Sequence, residues 1–173
     1  KFLPGSWQKL RGGENLDSVY WLYNQTGESW LLDLARKVYR RTADWASPIL
    51  TPERDRQWEE SSFYHGVNIA MGLKYPALYY QQSGEKQLLE AVERNYQQLM
   101  TAYGQQPGGM FAADENIRPG YNDPRQGAET CTMVEMMFTW ETLLKITGET
   151  IAADRVEDIA FNSLPASMTP DLK

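Results

Sequence analysis

The chain has 173 residues, 42% apolar and 23% charged, which is enough for one domain with a real core. Its net charge is −6 and no Lys/Arg run exceeds two residues, so a nucleic-acid partner is not expected. No stretch approaches the roughly 18 apolar residues of a membrane span, and one cysteine excludes an internal disulfide.

Three segments echo one another, each with a small hydroxyl residue, Gly and then Glu: Thr26-Gly27-Glu28, Ser83-Gly84-Glu85 and Thr147-Gly148-Glu149. Gly suits a left-handed helix end, and Glu suits the positive start of the next helix. The sequence therefore predicts three helical hairpins, roughly 15–45, 63–103 and 128–164. In the first, Leu31, Ala35, Val38 and Trp45 form one apolar face after the turn. Asn24-Gln25-Thr26 also matches a glycosylation sequon, but it lies in a helix-ending turn and is read as incidental.

The second hairpin opens near "SSFYHGVNIAMG" (61–72), which holds the sole histidine, His65. Asn68 follows one helical turn later, is expected on the same face, and is expected to contact substrate with it. The bland reading of His65 is a hydrogen-bonded structural residue; the functional one is a substrate-pocket residue. Pro76 lies inside the helix and should kink or interrupt it. After the second turn, Leu88, Val92, Tyr96, Leu99 and Tyr103 repeat at three and four.

"GQQPGGMFAADENIRPGYNDPRQG" (104–127) is rich in Gly, Pro, Asn and Asp and reads as a loop. A loop this long is usually functional or disordered, and it is expected to fold over one mouth of a ring. Asp114 and Glu115 are its candidates for general acid or base, because glycoside hydrolysis needs one group to protonate the leaving oxygen and another to attack or activate water. Tyr121 and Arg125 are expected to contact substrate.

The third hairpin begins with "RQGAETCTMVEMM" (125–137). Glu129 and Cys131 stand two apart, a spacing that points side chains to opposite sides of a regular helix. They could share one metal only if the chain is extended at Glu129 and turns helical afterwards. A thiol there is expected to be acidified by the helix start. The bland alternative is a buried Cys with Glu129 as a cap. Further on, Thr132, Glu135, Thr139 and Thr142 mark a narrow polar stripe on an otherwise apolar helix, which should be buried on most sides, with Met133, Met136 and Met137 as core filler.

Together, "WLYNQTGESWLLDLA" (21–35), "HGVNIAMGLKYPALYYQQSGEKQLLEA" (65–91), "GGMFAADE" (108–115) and "ETCTMVEMMF…DRVEDIAFNSLPASMTPD" (129–170) resemble glycoside hydrolase family 127, the β-L-arabinofuranosidase-like enzymes. The resemblance implies an all-α fold built from helical hairpins of an (α/α)6 toroid. Three hairpins are about half of such a ring, so the chain is expected to be a partial catalytic domain, inactive by itself and able to associate through exposed helix faces. The resemblance further implies a retaining mechanism with a zinc-bound cysteine thiolate as nucleophile, the zinc being held by one Glu and three Cys. Glu129 and Cys131 fall on the Glu and the first Cys of that set, so zinc is the expected cofactor. A carbohydrate is the expected partner, His65 matches a pocket histidine, and Asp114 falls on a recurring acid of the loop motif. The best-known branch carries its acid/base Glu where this chain has Gly109, so Asp114 or Glu115 is expected to serve instead. Two rivals stand beside this reading: a non-catalytic helical scaffold binding glycan or protein, and a metal-free toroid enzyme acting on uronic-acid glycans through Asp114 and His65. A single thiol favours a reducing compartment and is compatible with a periplasm.

Overall fold

A computed structural model describes residues 6–56, 62–169 and 171. The regular elements among the described residues are all helices, with two isolated β-bridges and no strand. After α1 (Ser6–Arg11) and one 3-10 turn, three hairpins follow: α2 (Asn15–Thr26) with α3 (Trp30–Arg41), α5 (Gly66–Leu73) and α6 (Tyr75–Ser83) with α7 (Gln87–Tyr103), and α8 (Thr130–Thr147) with α9 (Thr150–Asp158). The short α4 (Pro52–Asp55) lies between the first two. No helix among the described residues is long and apolar enough to cross a membrane.

The repeated turn has one construction at all three places. Gly27, Gly84 and Gly148 have φ of 69°, 71° and 72°, the left-handed region that glycine enters without strain. Each glycine N–H donates back to a carbonyl of the helix it ends, at Tyr23, Tyr80 and Leu144. The N–H of the following Glu then donates to the hydroxyl of Thr26, Ser83 or Thr147. The hydroxyl-Gly-Glu pattern is thus a complete stop signal.

Pro76 interrupts its helix as expected. The rod breaks at Lys74, and α6 restarts with the proline in its first turn, where a missing N–H costs little. Lys74 is fully buried at this joint, its Nζ 2.8 Å from Glu14 and 3.5 Å from Glu135. One ammonium therefore ties the first, second and third hairpin regions together. Beside the joint, Trp45 stacks on Phe63 at 4.3 Å and lies against Gly72, where a Cβ would come within 2.2 Å of its ring.

The polar stripe of α8 faces inward. Thr132 and Thr139 are fully buried and Thr142 nearly so, while Val134 is exposed. Thr139 donates to the Ala70 carbonyl at 2.6 Å. Thr132 meets Gly66, where a Cβ would lie 2.8 Å from its hydroxyl oxygen. Small side chains let α8 approach α5 closely, which polarity alone does not reveal.

The 104–127 segment contains no helix or strand, as expected of a loop. Its centre is packed into the molecule: Met110, Phe111, Ala112, Ala113 and Ile117 are all fully buried. Its backbone is stitched to both neighbours, with Gly66 N–H donating to Glu115, Ile117 N–H to Tyr64 and Glu129 N–H to Ala113. The segment is a wedge between the starts of α5 and α8. At its rear, Ser163 donates to the Gly108 carbonyl at 2.7 Å from a π-helical turn, Ile159–Ser163, that follows α9. A short α10 (Leu164–Ala166) follows. Arg155 of α9 makes a two-pronged ion pair with Glu93 of α7 and lies over Tyr96 and Trp140, joining the outer helices. Those hydrogen bonds hold the Glu93 carboxyl below its usual range.

Candidate active site

Two helix starts and the wedge converge at one place. His65 and Glu129 immediately precede α5 and α8, and both are extended, with ψ of 126° and 134°. This is the backbone that a shared Glu129–Cys131 site requires. The wedge runs between them, joined by the bridges His65↔Asn116 and Ala113↔Ala128, and so presents Glu115 to both.

The imidazole Nε2 of His65 lies 2.9 Å from Glu115 Oε1. One donor atom from each of His65, Glu115 and Glu129 lies within 4.8 Å of the others. Glu129 Oε2 is buried with no hydrogen-bond partner, as is His65 Nδ1. A buried carboxylate oxygen without a partner is costly unless something meets it.

Cys131 is exposed in the first turn of α8 and is not packed among Met133 and Met137. Its thiol is pushed up, not down: the hydrogen bond to Glu129 comes first, then that carboxylate's charge, then burial, with Glu115 adding further. The expected acidification by the helix start is outweighed, because two carboxylates stand closer to the sulfur than the helix dipole can offset.

The two loop acids separate in character. Burial pushes Asp114 up, but the Glu115 N–H and Arg118, 2.6 Å away, outweigh it and hold the carboxyl below its usual range. A group so held is a poor proton donor. Glu115 has the imidazole as its partner instead. Asn68 is fully buried, its Oδ1 accepting from Arg11 Nε and its Nδ2 donating to the Ser62 carbonyl. Arg125 pairs with Asp123 within the loop, and Tyr121 lies under Arg118; neither is brought to the cluster by a described contact.

Gly109 has φ of 78°, and a Cβ there would lie 2.8 Å from Asp158 Oδ2. A Glu at the position where the resemblance places the acid/base residue would therefore meet a strained backbone and a neighbouring carboxylate. The sequence reading missed Trp7 and Arg11. Trp7 is 42% exposed and meets the His65 ring edge-on at 5.3 Å. Their distance along the chain from His65 leaves no local pattern that could have found them.

An imidazole, two carboxylates and an adjacent thiol are ligand types that zinc accepts, and the unpartnered Glu129 oxygen fits a cation. The donor set is compatible with metal binding. The family model described as "Beta-L-arabinofuranosidase, GH127 catalytic domain" matches residues 5–173. No curated protein and no solved structure gives a match.

Proposed function

The chain belongs to the GH127 β-L-arabinofuranosidase catalytic-domain family, and from that premise we propose that it forms the sugar- and zinc-binding wall of a retaining glycosidase acting on arabinofuranoside-type glycans. Its three hairpins are part of the (α/α)6 toroid of that family, and the family implies a carbohydrate substrate.

The single observation that carries the reading is the meeting of His65, Glu115 and Glu129, with Cys131 beside them. Glu129 and Cys131 would hold zinc, with His65 within reach. Bound zinc would supply the positive charge that keeps thiolates ionised. Glu115 is assigned the proton transfer to the leaving oxygen, since it is the loop acid in contact with the imidazole. His65 orients that carboxylate and walls the sugar. Asp114 holds Arg118 and shapes the loop. With one cysteine in the sequence, a thiolate nucleophile distinct from a zinc-holding Cys131 is not among these residues. We therefore expect binding from this chain by itself, and no turnover.

The test is saturation-transfer NMR of the zinc-supplemented chain with methyl β-L-arabinofuranoside, using methyl β-D-glucopyranoside as the contrast. The furanoside should bind preferentially, and Glu115→Gln and His65→Ala should abolish the signal. Absence of furanoside binding, or binding unchanged in both variants, overturns the proposal.

A further inference from the structure

We propose that Arg11, clamped between Trp7 and Asn68, is a subsite for the carboxylate of an acidic sugar next to the residue held at His65 and Glu115. The proposal rests on the sugar-site reading above and specifies the substrate class. Arg11 ends α1, and its Nε donates to Asn68 Oδ1 at 2.7 Å. The Asn68 amide cannot turn away, because it is fully buried and its Nδ2 is fixed on the Ser62 carbonyl at 2.7 Å. The guanidinium carbon lies 4.7 Å from the Trp7 ring centroid, and the same indole touches His65. Tyr75 fixes the backbone of Arg11 by donating to its carbonyl. The guanidinium is thus held in plane and position while the residue stays partly exposed.

What Arg11 lacks is an acid. Among the described residues no carboxylate forms an ion pair with it, in a chain that carries 23 acidic side chains against 17 Lys and Arg. Glu14, one turn further on, is directed to Lys74. Arg118 and Arg155 each have a carboxylate at 2.6–2.8 Å; Arg40, Arg41, Arg54 and Arg94 also form no ion pair among the described residues, and what sets Arg11 apart is its clamp on Asn68 and Trp7. With Nε engaged, the two terminal nitrogens remain as an end-on fork, the shape that receives a planar carboxylate through two parallel hydrogen bonds. A clamped fork loses little side-chain freedom on binding, so its selectivity should be high for so small a site. Its partner Asn68 lies one helical turn from His65, and Trp7 meets both the guanidinium and the imidazole, so a bound anion would sit beside the sugar held at His65.

The test compares sodium D-galacturonate, D-galactose and D-galactose 6-sulfate by calorimetry and saturation-transfer NMR on the full 173-residue chain. Galacturonate should bind about ten-fold tighter than galactose, and the preference should weaken as salt rises. Arg11→Gln should bring the two to parity. Arg11→Lys should keep part of the preference, since charge remains and the fork is lost; it also serves if Arg11→Gln fails to fold, which circular dichroism reports. Equal affinity for acid and neutral sugar, or a preference that survives in Arg11→Gln, overturns the proposal. So does tighter binding of the sulfate, which would make this a general anion site. If methyl β-L-arabinofuranoside binds and the acid preference is absent, this inference fails alone; if none of the sugars binds, both readings fail.

Discussion

His65 Nε2 and Glu115 Oε1 stand 2.9 Å apart although fifty residues separate them along the chain. The contact exists because the wedge passes between two helix starts, and it assembles a nitrogen and an oxygen donor beside Glu129. Metal affinity should follow that geometry. Titration of the metal-free chain with Co2+ should give a thiolate-to-cobalt charge-transfer band that disappears in Cys131→Ser. Glu129→Gln and His65→Ala should each weaken binding about ten-fold or more. A band that persists in Cys131→Ser would remove the thiol from the site.

The Cys131 thiol should be sluggish in the metal-free chain. Its ionisation is pushed up first by the Glu129 hydrogen bond and then by that carboxylate's charge. A raised pKa means that the reactive thiolate appears only at higher pH. Alkylation by iodoacetamide in chelator should therefore switch on above the pH of a free cysteine. Glu129→Gln should move the midpoint down, and Glu115→Gln should do so less. A midpoint unmoved by Glu129→Gln would contradict the assigned cause.

Lys74 should be the most sensitive charged residue for folding. It has no exposure, while Glu14 and Glu135 keep 31% and 28% of theirs. Its contacts are ionic and lack hydrogen-bond alignment. Lys74→Ala should cost about 3 kcal/mol, measured by urea unfolding, because two acids are left facing each other without a cation. The triple change Lys74→Met, Glu14→Gln and Glu135→Gln should recover most of that loss.

Gly109→Glu should not supply an acid/base residue. The left-handed backbone costs a non-glycine about 1–2 kcal/mol, and Asp158 adds like-charge contact. The expected outcome is a lower melting temperature with no gain in furanoside binding. Adding Asp158→Asn should recover the electrostatic part only, and Gly109→Ala should show the backbone cost together with the Cβ contact to Asp158, without the added charge.

The hairpins were legible because their stops are local: a hydroxyl, a glycine and an acid within three residues define each turn. The joint at Pro76 was legible for the same reason. The orientation of α8 was not, since Thr132 and Thr139 look polar in sequence and act as small spacers against Gly66 and Ala70. The 104–127 loop was legible from its Gly, Pro and Asp, but the packing of its centre was not, because the buried Met110–Ala113 run is too short to carry a period. Glu129, Cys131, His65 and Glu115 were picked out by residue type and by the family resemblance. Their convergence came from tertiary contacts, as did the clamp around Arg11, whose partner Asn68 is 57 residues away.

The π-helical turn at Ile159–Ser163 is what brings the Ser163 hydroxyl onto Gly108. Such a turn is an α-helix that has taken in one surplus residue, and each residue rotates the following side chains by about 100°. Excising one amino acid there, while leaving Ser163 itself intact, should swing the hydroxyl out of range and detach the wedge from its rear anchor. The anchorage is thus encoded as a count along the chain, so relatives that keep the serine and drop that surplus residue should hold Glu115 less firmly.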